Sequence, residues 1–252
     1  MKAYTLPFFI IVLIISGSLQ ANAQLKPQLR KAVYFDKTPP LREMELITPS
    51  TRDRSWKDKV IRNEESDREF NNNPAPLPLG NDPVWQRDFG TRTGNEIISN
   101  FDGVPNLNDV YPPDTDGDVG PDHYFQMINL SFQIFDKEGN SVYGPADNRT
   151  LWNGFIGPWT GTNDGDPIVL YDEQADRWVA SQFAIHTQDG TFWELVAVSV
   201  TGDPTGEYYR YAFQFPAFND YPKMGVWPDG YYFSFNMFGS DYRRAAVCSL
   251  ER

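Results

Sequence analysis

The sequence predicts an all-β protein: consecutive four-stranded antiparallel units of the β-propeller type, about three blades and incomplete, behind a disordered N-terminal leader. Three observations predict it. Two phrases, "VGPDHYFQMIN" from Val119 and "VWPDGYYFSFN" from Val226, align without a gap and match at Val119/Val226, Pro121/Pro228, Asp122/Asp229, Tyr124/Tyr231 and Asn129/Asn236. Short runs rich in aromatic and β-branched residues alternate with turn-forming residues from Asp118 onward, as strands joined by hairpin loops require. The 19 glycines and 20 prolines favour many turns over long helices.

In chain order, the first element is an export signal over residues 1–23. Lys2 is its positive start, Leu6 to Ile15 its apolar run, and "ANAQ" at Ala21–Gln24 its small-x-small cleavage pattern. The run is too short to span a bilayer, which takes about 20 apolar residues. No stable membrane anchor is therefore expected after cleavage, and the protein is expected to be secreted or held in the cell envelope. Residues 24–80 are dense in charge, proline and asparagine without a sustained apolar period, and read as an extended or disordered linker. Arg54–Phe70 offers a short charged helix with no apolar stripe. Residues 81–117, including "FDGVPNLNDVYPPDTDGD", read as loop.

Residues 118–252 carry the strands, in units of about 118–165, 166–219 and 220–252. The first unit reads "VGPD", "HYFQMIN", "SFQIFDK" and "SVYGP". The second reads Ile168–Asp172, Arg177–Ile185, Glu194–Val200 and Glu207–Phe215, in which small and large residues alternate as in strands packed between two layers. The third reads "MGVWPDG", "YYFSFNMF" and "RRAAVCSL". In the middle unit "VLYD" stands for "VGPD", Trp178 for Tyr124 and Tyr231, and Asp166 for Asp220. A period of about fifty residues with four strands per period describes a propeller blade. Aromatic-rich hairpins of a β-sandwich are the competing reading. Propellers close with roughly four to eight blades, so three imply a truncated frame or blades supplied by another chain. Tyr231, Tyr232, Phe233, Phe235 and Phe238 are then expected to lie partly bare.

The phrases "PPDTDGDVGPDHYFQMIN", "GDPIVLYDEQADRWVASQFA", "DPTGEYYRYAF" and "FNDYPKMGVWPDGYYFSFN" resemble a family of exported bacterial proteins of unassigned function. The resemblance covers about Asn100–Arg252. It implies a propeller fold and an envelope or extracellular location, and no activity.

Composition limits the chemistry. The single cysteine, Cys248, excludes an intramolecular disulfide, and two histidines leave no His/Cys cluster for zinc. Residues 71–252 hold 10 Lys/Arg against 25 Asp/Glu, which argues against nucleic acid and anionic membrane as partners. The sharpest local signal is "DTDGDVGPD". Asp114, Asp116 and Asp118 sit at i, i+2 and i+4, with Gly117 to let the loop curl, and could converge on a calcium ion. Val119 and Phe125 stand where an EF-hand needs glycine and glutamate, so this is not an EF-hand; an Asx-rich turn is the alternative. Asp166 and Asp220, taken as equivalent positions, could face a central channel as the carboxyl pair of a propeller glycoside hydrolase acting on an extracellular carbohydrate. As scaffold residues they would only shape the strand entrances. Trp152 and Trp159, in the loop "LWNGFIGPWTGTNDG", are candidates for stacking on a sugar, whereas Trp178 and Trp227 read as core. No catalytic residue is assigned. The function expected is an exported propeller-type binding or scaffold protein, with a carbohydrate or another envelope protein as partner and the hydrolase as alternative.

Overall fold

The computed structural model describes residues 29–51, 98–239 and 242–251. Every described strand belongs to the compact unit Ala32–Arg252. The signal segment and the helix considered at Arg54–Phe70 lie outside the described residues. The fold is all-β, made of consecutive antiparallel sheets of the blade type, with no closed barrel among the described residues.

Sheet 1 holds β2 (Asp116–Val119), β3 (His123–Ile128), β4 (Ser131–Asp136) and β5 (Ser141–Asp147) in that spatial order. Sheet 2 holds β6 (Gly165–Asp172), β7 (Arg177–Ala184), β8 (Phe192–Ser199) and β9 (Tyr208–Phe215). Sheet 3 holds β10 (Phe218–Trp227), β11 (Gly230–Gly239) and β12 (Tyr242–Glu251). One helical turn, α1 (Arg149–Trp152), lies between sheets 1 and 2 in sequence.

The leader departs from expectation. Tyr34–Lys37, read as part of a linker, forms strand β1 and adds to the outer edge of β9, Tyr34 opposite Ala212 and Lys37 opposite Tyr209. The buried guanidinium of Arg210 holds it there, with Nε and Nη2 donating to the two carboxylate oxygens of Asp36 at 2.9 and 2.7 Å. The other Arg210 nitrogen, Nη1, donates to the carbonyls of Leu151 and Asn153. A bidentate pair of this kind is geometrically specific as well as strong.

The repeat holds in register. Val119 pairs with Tyr124, Tyr171 with Trp178 and Val226 with Tyr231, each pair lying near the turn of the first hairpin of its sheet. Trp178 therefore does stand where the two tyrosines stand. The middle hairpin is two residues longer, so Tyr171 rather than Val169 takes the place of Val119. A bulge corrects a second alignment. Gly165 and Ile168 face Phe183 and Ser181, while Asp220 and Lys223 face Asn236 and Ser234. Between these pairs two residues oppose one in both sheets, as a bulge dictates. Asp220 is thus the counterpart of Gly165, and Asp166 that of Tyr221. The backbone agrees: Asp114, Asp166 and Tyr221, the three equivalent positions, all have positive φ, at 42°, 46° and 49°, a conformation that non-glycine residues seldom adopt.

Strands β7 and β8 are covered on both faces, so neighbouring residues serve different boundaries. Trp178, Ala180 and Ala184 pack with Phe125, Met127, Phe132 and Ile134 of sheet 1. Val179, Val196 and Val198 pack with Tyr231, Phe233, Phe235 and Met237 of sheet 3. Small alanines on sheet 2 meet large side chains on sheet 1, which lets the layers interdigitate. The outer face of sheet 1 is closed by the chain itself: Phe101 and Val104 pack on Tyr124, Ile128 and Phe135, and the Val104 N–H donates to Gln126 Oε1 at 2.8 Å.

Candidate functional site

The functional candidates gather where one sheet meets the next. At the first boundary, Asp116 and Asp118 alternate on β2 and share a face, as period two requires. Asp116 Oδ1 accepts the Val169 N–H at 3.0 Å, and Asp118 Oδ2 accepts the Tyr171 N–H at 2.8 Å. Both donors belong to β6, the first strand of the next sheet. Asp118 Oδ1 also accepts the Val119 N–H. Asp114 lies at the positive-φ position and takes a hydrogen bond from Asn129 Nδ2. Asn129 in turn uses its Oδ1 to accept the Asp166 N–H at 2.7 Å. The three aspartates therefore engage separate protein donors. Among the described residues no group of three or more His, Cys, Asp or Glu side chains is placed to hold a metal ion. Burial pushes the Asp116 carboxyl up from its ordinary range, while the Val169 N–H pulls it back.

At the second boundary Asp166 again points to the next sheet, its Oδ2 accepting the Tyr221 N–H at 3.3 Å. Asp220 lies one position out of step with it, and both are buried. The structure adds a third acid that sequence reasoning passed over. Glu194, on β8, is 2% exposed, and its Oε2 accepts Asn219 Nδ2 at 2.8 Å. The Ser181 hydroxyl lies beside it. Burial drives its carboxyl well above the usual range and the nearby Asp166 charge adds to this, with Ser181 and Asn219 opposing. A carboxyl group pushed toward its protonated form near a second acid is an arrangement that glycosidase chemistry uses. Geometry denies it a substrate, because Glu194, Asp166, Asp220, Ser181 and Asn219 are all at most 7% exposed. The signal for Glu194 was legible in "FWELVAVSV": one acid in the middle of a strand that is otherwise apolar.

The tryptophans exchange roles. Trp152 and Trp159 are buried, at 6% and 2% exposure. Trp159 Nε1 donates to the Phe155 carbonyl at 2.9 Å, and its ring meets Tyr34 and Trp193 edge-on. The glycine-rich loop folds inward over sheet 2 and its aromatics join the core. Trp178 is core, as expected. Trp227, expected in the core, is 67% exposed, because its strand alternates Met224 and Val226 toward sheet 2 and so turns Gly225 and Trp227 away. The same alternation corrects three of the five residues expected to be bare, since Tyr231, Phe233 and Phe235 are buried, whereas Tyr232 is exposed and Phe238 half-buried.

A third polar group ends β7. Buried Asp164 accepts the N–H groups of Ile185 and His186 on Oδ2 at 2.7 and 2.9 Å, and its Oδ1 lies 3.0 Å from His186 Nδ1. Two backbone bonds and a ring contact from one carboxylate fix this strand end. Comparison with protein-family models, curated proteins and solved structures gives no match for the chain.

Proposed function

We propose that this chain is a non-catalytic, propeller-type binding or scaffold protein, exported to the cell envelope or beyond. One observation carries the reading: carboxylates that could have served catalysis are used to join sheets. Asp116, Asp118 and Asp166 each accept a backbone N–H from the first strand of the following sheet. The same resemblance that implies export implies no reaction. Calcium at Asp114, Asp116 and Asp118 would require the three side chains to leave these donors and turn to one point.

The test is hydrolysis of aryl glycosides of several sugars by the purified chain, beside its Asp166→Asn and Glu194→Gln variants. No turnover above the variants is expected. Turnover abolished in either variant would replace this reading with the hydrolase, for which the buried Glu194 near Asp166 is the supporting observation.

A further inference from the structure

Two buried oxygens at the junction of sheets 2 and 3 have no donor. The Asn219 amide on β10 has spent its nitrogen: Nδ2 donates to Glu194 Oε2 at 2.8 Å and to the Trp193 carbonyl at 3.4 Å. These two acceptors set which end of the amide carries the nitrogen. Its Oδ1 is buried without a hydrogen-bond partner among the described residues, and so is Glu194 Oε1. The two oxygens are thus the second atoms of two groups already joined through their first. A buried acceptor left in this way is costly, and native structures seldom keep one.

One proton resolves both. A carboxyl protonated on Oε1 becomes a donor, and an amide offers its N–H and its carbonyl side by side. Acid and amide then close a ring of two hydrogen bonds, Nδ2–H to Oε2 and Oε1–H to Oδ1. The surroundings favour the uncharged acid. Phe183 on β7 and Phe213 on β9 stand opposite Glu194, and β11 brings Phe233, Phe235 and Met237 to the same boundary. The titratable groups there are Asp166 on β6, Asp220 on β10, Tyr211 on β9 and Cys248 on β12. Of the cations on these strands, Arg177 acts on Tyr211, Lys223 lies over the Tyr221 ring and Arg210 is held by Asp36. The groups that act on Glu194 are Asp166, Ser181 and Asn219, and none of them is basic.

We infer that the junction of sheets 2 and 3 is a proton-coupled hinge: sheet 3 stays closed on sheet 2 while the Glu194 carboxyl shares a proton with Asn219, and opening the junction releases that proton to water. The upward push of burial on the Glu194 carboxyl agrees with this. The closed junction keeps a proton that the opened one gives up above the ordinary value of 4.5. Opening therefore becomes easier as pH rises from there to the closed-state value, and levels off beyond it. The inference goes beyond the scaffold reading and does not depend on it.

Infrared difference spectra and amide hydrogen exchange of β10 and β11, both followed from pH 4 upward, test this on the chain and its Glu194→Gln variant. At neutral pH a protonated-carboxyl band is expected in the parent chain and absent from the variant. Carbon-13 labelling of the glutamates assigns the band, so the parent chain decides this point even if a variant fails to fold. Exchange in the parent, divided by that in the variant, should rise about tenfold per pH unit above 4.5 and level off where the band disappears. The division cancels the base catalysis of exchange itself. Asn219→Ala removes the acceptor of the proton and should move the loss of the band to lower pH; a move to higher pH would show that Asn219 serves the carboxylate instead, and overturns the proposal. Absence of the band at neutral pH means that a buried water or cation serves the two oxygens, and overturns it too. A band whose loss leaves the exchange ratio flat overturns the hinge. Glycoside turnover, which decides the scaffold reading, is a separate measurement.

Discussion

The two sheet-to-sheet boundaries occupy the same register positions and both combine apolar packing with carboxylate contacts, but they differ in how much water reaches their acids. Between sheets 1 and 2, half-exposed carboxylates of Asp116 and Asp118 accept backbone N–H groups across the gap. Between sheets 2 and 3, valines meet a bank of aromatics, and the acid in the middle, Glu194, is fully enclosed. Loss of water pushes a carboxyl group toward its protonated form, and an N–H donor pulls it back. Position in the repeat therefore decides where an acid sits, and solvent decides what it does there.

The largest test of this contrast is removal of the charged staples. Replacing Asp116 and Asp118 together by alanine strands two β6 N–H groups. Hydrogen bonds to charged groups are worth about 1.5–3 kcal/mol each, so the pair, partly exposed, should cost about 2–4 kcal/mol, read from urea unfolding. Less than about 1 kcal/mol would mean that the first boundary rests on its apolar packing rather than on these carboxylates. The calcium titration of the same variants sharpens the point. A calcium-induced rise in the melting temperature of the parent chain, lost in the double variant, would favour the metal loop over the staple.

A smaller effect of opposite sign is expected at the second boundary. The folded chain holds the Glu194 carboxyl above its ordinary value of 4.5, so above that pH the folded state binds a proton that the unfolded state has lost. Stability from this group is complete below the unfolded value and falls as pH rises through the folded one. Glu194→Gln keeps an oxygen for Asn219 and removes the ionisation. It should raise the melting temperature at pH 8 by roughly 2–4 °C, an effect of about 1 kcal/mol, and change nothing at pH 4. An equal change at both pH values would show that packing rather than charge is responsible.

The smallest effect is on reactivity. Burial pushes the Cys248 thiol up to about 12. At pH 8 the thiolate is scarce, so a thiol reagent should label the native chain slowly and the urea-unfolded chain fast. Fast native labelling would mean that sheet 3 opens from sheet 2.

Much of the architecture was legible because alternation and turn residues are local. Strands β7, β8 and β9 emerge within two residues of the runs read from the sequence, and Val119 and Val226 share a setting. What escaped was non-local. The bulges at Gly165/Ile168 and Asp220/Lys223 shift the alignment by one, and nothing in "GDP" or "NDYP" announces which residue is extra. The loop holding Trp152 and Trp159 has the composition of a surface, yet sheet 2 and Tyr34 give it a place to bury aromatics. Four residues, "YFDK", are too few for a period and sit among prolines and charges, so β1 had no signal of its own. It exists because β9 offers an edge and Arg210 needs a carboxylate.

That strand has a consequence for how the molecule is made. Asp36 and Arg210 are separated by 174 positions, so during synthesis at about 5–20 residues per second β1 waits roughly 10–35 seconds for its partner to be built. The order favours the protein: when the edge of β9 appears, its cover is already present, and an unpaired strand edge is the feature most apt to recruit the wrong chain. The cost falls on speed, since contacts this distant close late and slow the search. A chain lacking Tyr34–Lys37 would be spared that search and would expose the β9 edge from the moment it forms.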